Sequence, residues 1–290
     1  MNNRLEFKKQ REFGEIVSDT FLFIKQNLKP LLKTFLYLCG FFILASILSA
    51  VAHLMNVSDV LIDSSRPSSQ AYSRMFSWNY FLVMFFYMVT YAAITVSTLS
   101  YVAVYIAKGN VPPLPEEVWT YFKYYFLRVF GSSIPITLLM VAAFICCIVP
   151  GVYVFPALSL FYAVMIFENG SFAYSFGRAF KLSHKDWWAT AGALIIIWII
   201  TYVAFLVPSV PGIVLGMAVG FTQGAASISK VWFVVVTIIQ YLSYVFLIIP
   251  LIGISLCYFN LAERMDSSGL LARIDKLGEQ PTGSDIQEEY

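Results

Sequence analysis

The positive charges of this chain fall on alternate sides of its apolar segments, and that partition limits the fold more than any other feature. Six long apolar runs occupy residues 30–54, 79–107, 129–149, 152–167, 187–207 and 231–258. Of 19 lysines and arginines, seven lie before or at the start of the first run, counting Lys33. Three lie in the gap 108–128, three in 168–186 and three after the last run. The intervening gaps hold only Arg66, Arg74 and Lys230. Sixteen cations against three, strictly alternating, is what the positive-inside bias of membrane insertion produces. The partition predicts an all-α polytopic protein of six transmembrane helices with both termini in the cytoplasm.

With 59% hydrophobic and 12% charged residues, a soluble domain of this size is excluded. A span needs roughly 20 apolar residues to cross about 30 Å of hydrocarbon. The run 152–167 is short and contains Pro156, but without it the cationic gap 168–186 would change sides. The first run follows about 28 polar or amphipathic residues with no small-residue cleavage site, and it reads as a retained span. A net charge of +2 and no basic tract beyond the membrane flanks exclude nucleic acid as a partner. Cys39, Cys146, Cys147 and Cys257 lie inside apolar runs and read as small hydrophobes. They make no disulfide framework or metal spacing, so no cofactor or metal is expected.

Residues 12–28, 115–128 and 171–184 share one design. The first carries a stripe of Phe13, Ile16, Val17, Phe21, Ile24 and Leu28; the second opens on Pro115-Glu116-Glu117, a helix-entry pattern. The third starts at Ser171, an N-cap residue type, and sets Phe172, Phe176 and Phe180 against Arg178, Lys181 and Lys185. Each reads as an amphipathic interfacial helix leading into a pair of spans, giving three helix-plus-hairpin repeats. On the opposite side the pattern predicts a polar loop over 55–78 and a turn at Pro150-Gly151. The stretch from Pro208 to Phe221 reads as a re-entrant or interfacial segment. Residues 1–277 then form one transmembrane domain, followed by a disordered acidic tail, 278–290.

Candidate sites are few. The span cores carry no ionisable group, which argues against proton-coupled transport. Gln240, deep in the last run, reads as a bridge between helices. Glu168 reads either as an interface contact to a headgroup or substrate, or as an acid favoured by the start of the following helix. Arg178, Lys181, Lys185, Trp187 and Trp188 form a basic and aromatic belt, which either anchors the protein at headgroup depth or binds anionic lipid. Gly212, Gly216, Gly220 and Gly224 recur every four residues, the spacing of a helix-packing seam or of a flexible gate. No catalytic constellation can be assembled, and there is no HExxH, Walker or GxSxG sequence.

Three stretches resemble the membrane domain of the glycerophosphoryl diester phosphodiesterase family and its stand-alone bacterial relatives of unknown function. The first runs from Gly14-Glu15-Ile16 through Phe21, Lys25, Asn27, Leu28 and Pro30-Leu31-Leu32. The second runs from Pro150-Gly151 through Glu168 to Phe176, Arg178-Ala179-Phe180-Lys181-Leu182 and Trp187-Trp188. The third is Tyr258-Phe259-Asn260-Leu261-Ala262-Glu263-Arg264 followed by Gly269-Leu270, with Asp266 a small departure. The resemblance implies six helices in a bacterial cell membrane. It does not imply phosphodiesterase activity, because in fused relatives hydrolysis belongs to a separate soluble barrel. Glu168 and Arg178 carry over as pattern residues, not as catalysts.

The expected function is therefore that of a non-catalytic integral membrane protein, an accessory factor in membrane or lipid homeostasis. Its expected partners are membrane lipids and another membrane protein. The alternative is a permease or channel for a neutral or amphiphilic solute, suggested by the glycine run and the Pro-interrupted helices.

Overall fold

The computed structural model describes residues 4–62, 73, 75–146, 148–222 and 230–266. Its helices are α1 (Phe13–Ile62), α2 (Trp78–Ala107), α3 (Pro115–Cys146), α4 (Ile148–Phe167), α5 (Phe172–Lys185) and α6 (Trp187–Thr222). Two more, α7 (Lys230–Leu242) and α8 (Ile248–Asp266), are joined by a 3₁₀ turn, Ser243–Leu247. Every regular element among the described residues is helical. Six helical segments are long and apolar enough to cross a membrane, with α7, the 3₁₀ turn and α8 counting as one.

The centre of the bundle is the second half of α2. From Val89 to Tyr105 almost every residue is buried, including Thr90, Ala92, Ala93, Thr95, Ser97, Thr98 and Ser100. A helix without a polar face is stable only when neighbours cover it, and small side chains let those neighbours approach closely. Here α1, α3, α4 and α8 supply the cover. Two of these hydroxyls have close partners: Ser46 Oγ on α1 lies 2.7 Å from Thr90 Oγ1, and Thr95 donates to Tyr91 O, whereas Ser100 Oγ is buried with no hydrogen-bond partner among the described residues.

The expected break between an interfacial helix and its span is missing twice. Residues 12–28 and 115–128 are not separate elements: α1 runs 50 residues, about 75 Å, and α3 runs 32. Pro30 removes one backbone bond, and Gly131 costs about 1 kcal/mol in a helix, too little to end helices braced by packing. The turn also moves. Since α3 ends at Cys146 and α4 begins at Ile148, Pro150 sits in the first turn of α4, where a missing N–H leaves no acceptor unpaired. A Cβ on Gly151 would lie 2.6 Å from the Phe144 ring, so glycine serves the close approach of the two helices.

Nor does the chain break at Pro208 and Pro211, since α6 continues to Thr222. Ser209 Oγ, 2.7 Å from Phe205 O and 2.9 Å from Gln240 Oε1, supports this stretch and ties α6 to α7. Gln240 is thus the interhelical bridge its position suggested. Gly212 marks a close approach there, for a Cβ would sit 2.8 Å from Val236. Gly216 and Gly220 follow on α6, and Gly224 lies outside the described residues. So do residues 63–72 and 74 of the expected 55–78 loop, of which α1 takes residues 55–62, and the tail 278–290. The last span tightens into a 3₁₀ turn at Ser243–Leu247, just before Pro250, whose ring and missing N–H conflict with the carbonyl of residue 246.

Residues 4–12 and the ends Ala107, Pro115, Phe167 and Asp266 meet at one end of the bundle, termed the basal end. Contacts that tie it together include Arg4 Nη1 to Asn110 O, Lys108 Nζ to Glu117, and Arg128 Nη1 to Asn169 Oδ1.

Candidate functional site

Four residues after α4 aim its last turn at the basal end and send the chain back along itself. Asn169 adopts φ 49°, and Ser171 caps α5 by accepting the Tyr174 amide at 3.4 Å, as its sequence position suggested. Gly170 lies between them, where a Cβ would meet the Tyr174 ring at 2.6 Å and Ser175 Oγ at 2.7 Å. The turn lays α5 lengthwise against α4. Phe172 meets Phe161 near one end of the pair, and His184 and Trp187 meet Tyr153 near the other. The docking face of α5 consists of Ser175, Ala179, Leu182 and Ser183, whereas beside it Phe172 stacks on Phe176 and Phe180 lies tilted against Phe176.

This arrangement brings Glu168 and Arg178 together. Arg178 Nε donates to Glu168 Oε1 at 3.1 Å, and its Nη2 is paired with Asp266 at the end of α8. Two phenols complete the carboxylate: Tyr258 donates to Oε1 at 2.8 Å and Tyr174 to Oε2 at 2.6 Å. Three helices are therefore tied through one carboxylate and one guanidinium. Donation to Glu168 raises the Tyr174 phenol above its ordinary pKa. Burial works against the charge of Arg178, but its bonds to Glu168 and Asp266 prevail and raise its pKa.

Beside this cluster the helix ends enclose a cavity of about 570 Å³. Ala103 and Ile106 of α2 and Phe167 of α4 form part of its wall, and Tyr121 and Tyr125 enter from α3. From α8 come Tyr258, Phe259 and Glu263, with Lys8 at the rim. The aromatic members and Glu263 were not predicted as site residues. Tyr258 and Glu263 stood only in the C-terminal stretch of the resemblance, and the one-face spacing of Tyr121 and Tyr125 was their available signal.

The basic and aromatic belt divides. Lys181 and Trp188 are exposed, Trp188 to 83%. Arg178 is held by its two carboxylates, and Lys185 Nζ donates to Arg264 O. Trp187 stacks on Tyr153 and donates to its carbonyl at 2.9 Å. A second ion pair, Arg264 with Asp186 at 2.7 Å, holds the single residue between α5 and α6. Arg264 Nη2 also reaches Arg11 O at 2.9 Å. The Arg11 guanidinium, its side chain 1% exposed, donates to Asp19 and to the carbonyls of Phe7 and Lys9.

No family model, no curated protein and no solved structure matches this chain.

Proposed function

We propose that this chain is a non-catalytic, multi-pass protein of a bacterial cell membrane, acting as an accessory factor in membrane or lipid homeostasis. The basal end faces the cytoplasm in this reading, because the cations gather there and the positive-inside bias retains them. The three helix-plus-hairpin units and the kinship with the phosphodiesterase membrane domains belong to the same proposal. One observation carries it. The Glu168 carboxylate is already engaged by Tyr174, Tyr258 and Arg178, the arrangement of a structural acceptor holding helix ends around a cavity. A general base needs a lone pair aimed at a substrate proton. Reconstituted protein should leave phospholipids and glycerophosphodiesters intact, while native membranes yield a copurifying lipid or protein. Turnover lost in Glu168→Gln would overturn the non-catalytic reading.

A second reading, a permease for an amphiphilic solute, has its own support. Cavities of about 210 and 390 Å³ lie among the span helices, and Trp198 borders both. Solute flux into proteoliposomes above that of empty vesicles would favour it.

A further inference from the structure

Far from the basal end, a polar side chain borders an apolar cavity between α6 and α7 with half of its amide unused. The cavity, about 390 Å³, takes its wall from Trp198, Tyr202, Phe205, Leu206, Ser209 and Gln240, among others. Tyr202 and Leu206 are exposed on the outside of the bundle, so the cavity opens sideways. Gln240 Oε1 lies 2.9 Å from Ser209 Oγ, whereas Nε2 donates to no group among the described residues. The wall hydroxyls are turned to their own helix: Thr201 donates to Ile197 O, and Ser209 Oγ lies 2.7 Å from Phe205 O. In hydrocarbon an N–H without an acceptor is costly, and no water is there to supply one. The partner this site lacks is a hydrogen-bond acceptor carried on an apolar body.

Depth narrows the class. Trp187 and Trp188 set the headgroup level at the start of α6, and Ser209 lies about 33 Å farther along that helix. The hydrocarbon layer is about 30 Å thick, so Ser209 and Gln240 stand at its far boundary. The acceptors found at that level are the ester carbonyls of diacyl lipids. From Ser209 to Trp198 the wall runs about 16 Å back toward the midplane, the direction an acyl chain takes.

We propose that this cavity holds one acyl chain of an ester-linked glycerolipid from the leaflet opposite the basal end, with Gln240 Nε2 donating to the ester carbonyl. The inference rests on the membrane reading given above. It makes the site selective for the linkage of the lipid and indifferent to its headgroup.

The test places the full chain in nanodiscs of equal parts dioleoyl phosphatidylcholine and its dialkyl ether analogue, which lacks the carbonyls. After transfer to detergent, native mass spectrometry reads the lipid that stays bound. The bound lipid should be enriched about fivefold in the ester form, the effect of one hydrogen bond present or absent. Gln240→Leu should abolish that preference. Leu206→Trp, a change at an exposed wall position, should lower bound lipid of both kinds about threefold, and it decides the matter if Gln240→Leu does not fold. Equal retention of ester and ether lipid by the unaltered chain would overturn the proposal. So would a preference that survives Gln240→Leu, or bound lipid unchanged by Leu206→Trp. A chain that stays in solution and does not enter the discs would overturn the membrane reading as well, whereas entry without a linkage preference would overturn this inference alone.

Discussion

Arg11 and Asn260 stand 249 positions apart, and the amide of the first donates to the side-chain carbonyl of the second at 2.8 Å. The bond fixes the segment 4–11 across the basal end. Beneath it Phe7, fully buried, meets Phe23, Tyr105 and Phe259 edge to face at 5.0–6.0 Å. Replacing Arg11 by Ala removes the Asp19 partner and strands several carbonyls. Losing one member of a buried pair costs roughly 3–5 kcal/mol, and Asp19, 23% exposed, places this case near the low end. Denaturant unfolding in detergent should show the loss, and limited proteolysis should cut first within residues 4–12.

Glu168 and Arg178 should behave as one unit. Glu168→Gln and Arg178→Gln are each expected to destabilise by about 1–3 kcal/mol. The double variant should fall short of their sum by at least about 0.5 kcal/mol, since the second change removes a pair already broken. Additive losses would mean that the two side chains do not stabilise each other.

Gly170→Ala tests the turn that creates the pair. The added methyl forces the Tyr174 ring to shift and with it the phenol bonded to Glu168. A lowered Tm is expected, by an amount that shrinks when Tyr174 is already Phe. An unchanged Tm for Gly170→Ala would contradict the packing at this position.

Lys181 and Lys185 should separate in lipid retention. Lys181 is exposed, and a cation near an anionic surface contributes about 1 kcal/mol, so Lys181→Gln should lower captured phosphatidylglycerol about fivefold by native mass spectrometry. Lys185→Gln, which frees the Arg264 carbonyl, should mainly lower stability. Equal lipid loss from both would restore a continuous headgroup belt.

Topology has a direct test. Reporter fusions after Gly109 and after Ser65 should report opposite sides of the membrane, with Gly109 cytoplasmic.

Much of this architecture was legible because it is written in local chemistry. Hydropathy located the six spans, Pro115 the start of α3 and Ser171 the cap of α5. Where local signals are ambiguous the reading slipped. Proline serves a turn and a first helical turn alike, so Pro150 marked the hairpin but not its break. An amphipathic stretch before an apolar one looks like two helices, yet α1 and α3 contain no breaker strong enough to part them. Glu168 and Arg178 were singled out separately, but their pairing depends on the Gly170 turn. The bond from Arg11 to Asn260 and the gathering of Tyr121 and Glu263 around one cavity depend on assembly of the whole bundle, which periodicity does not encode.

The Arg11 clamp also sets an order of events during synthesis. Its partner Asn260 lies on α8, the last described helix. At about 5–20 residues per second, the first segment emerges roughly 12–50 seconds before the residue that secures it. Through that interval Phe7 and the Arg11 guanidinium lack the α8 side of their burial site, although their α1 partners are already made. A nascent chain halted before α8 would therefore present an unsealed aromatic and cationic end, a ready mark for quality control to distinguish unfinished copies from completed ones.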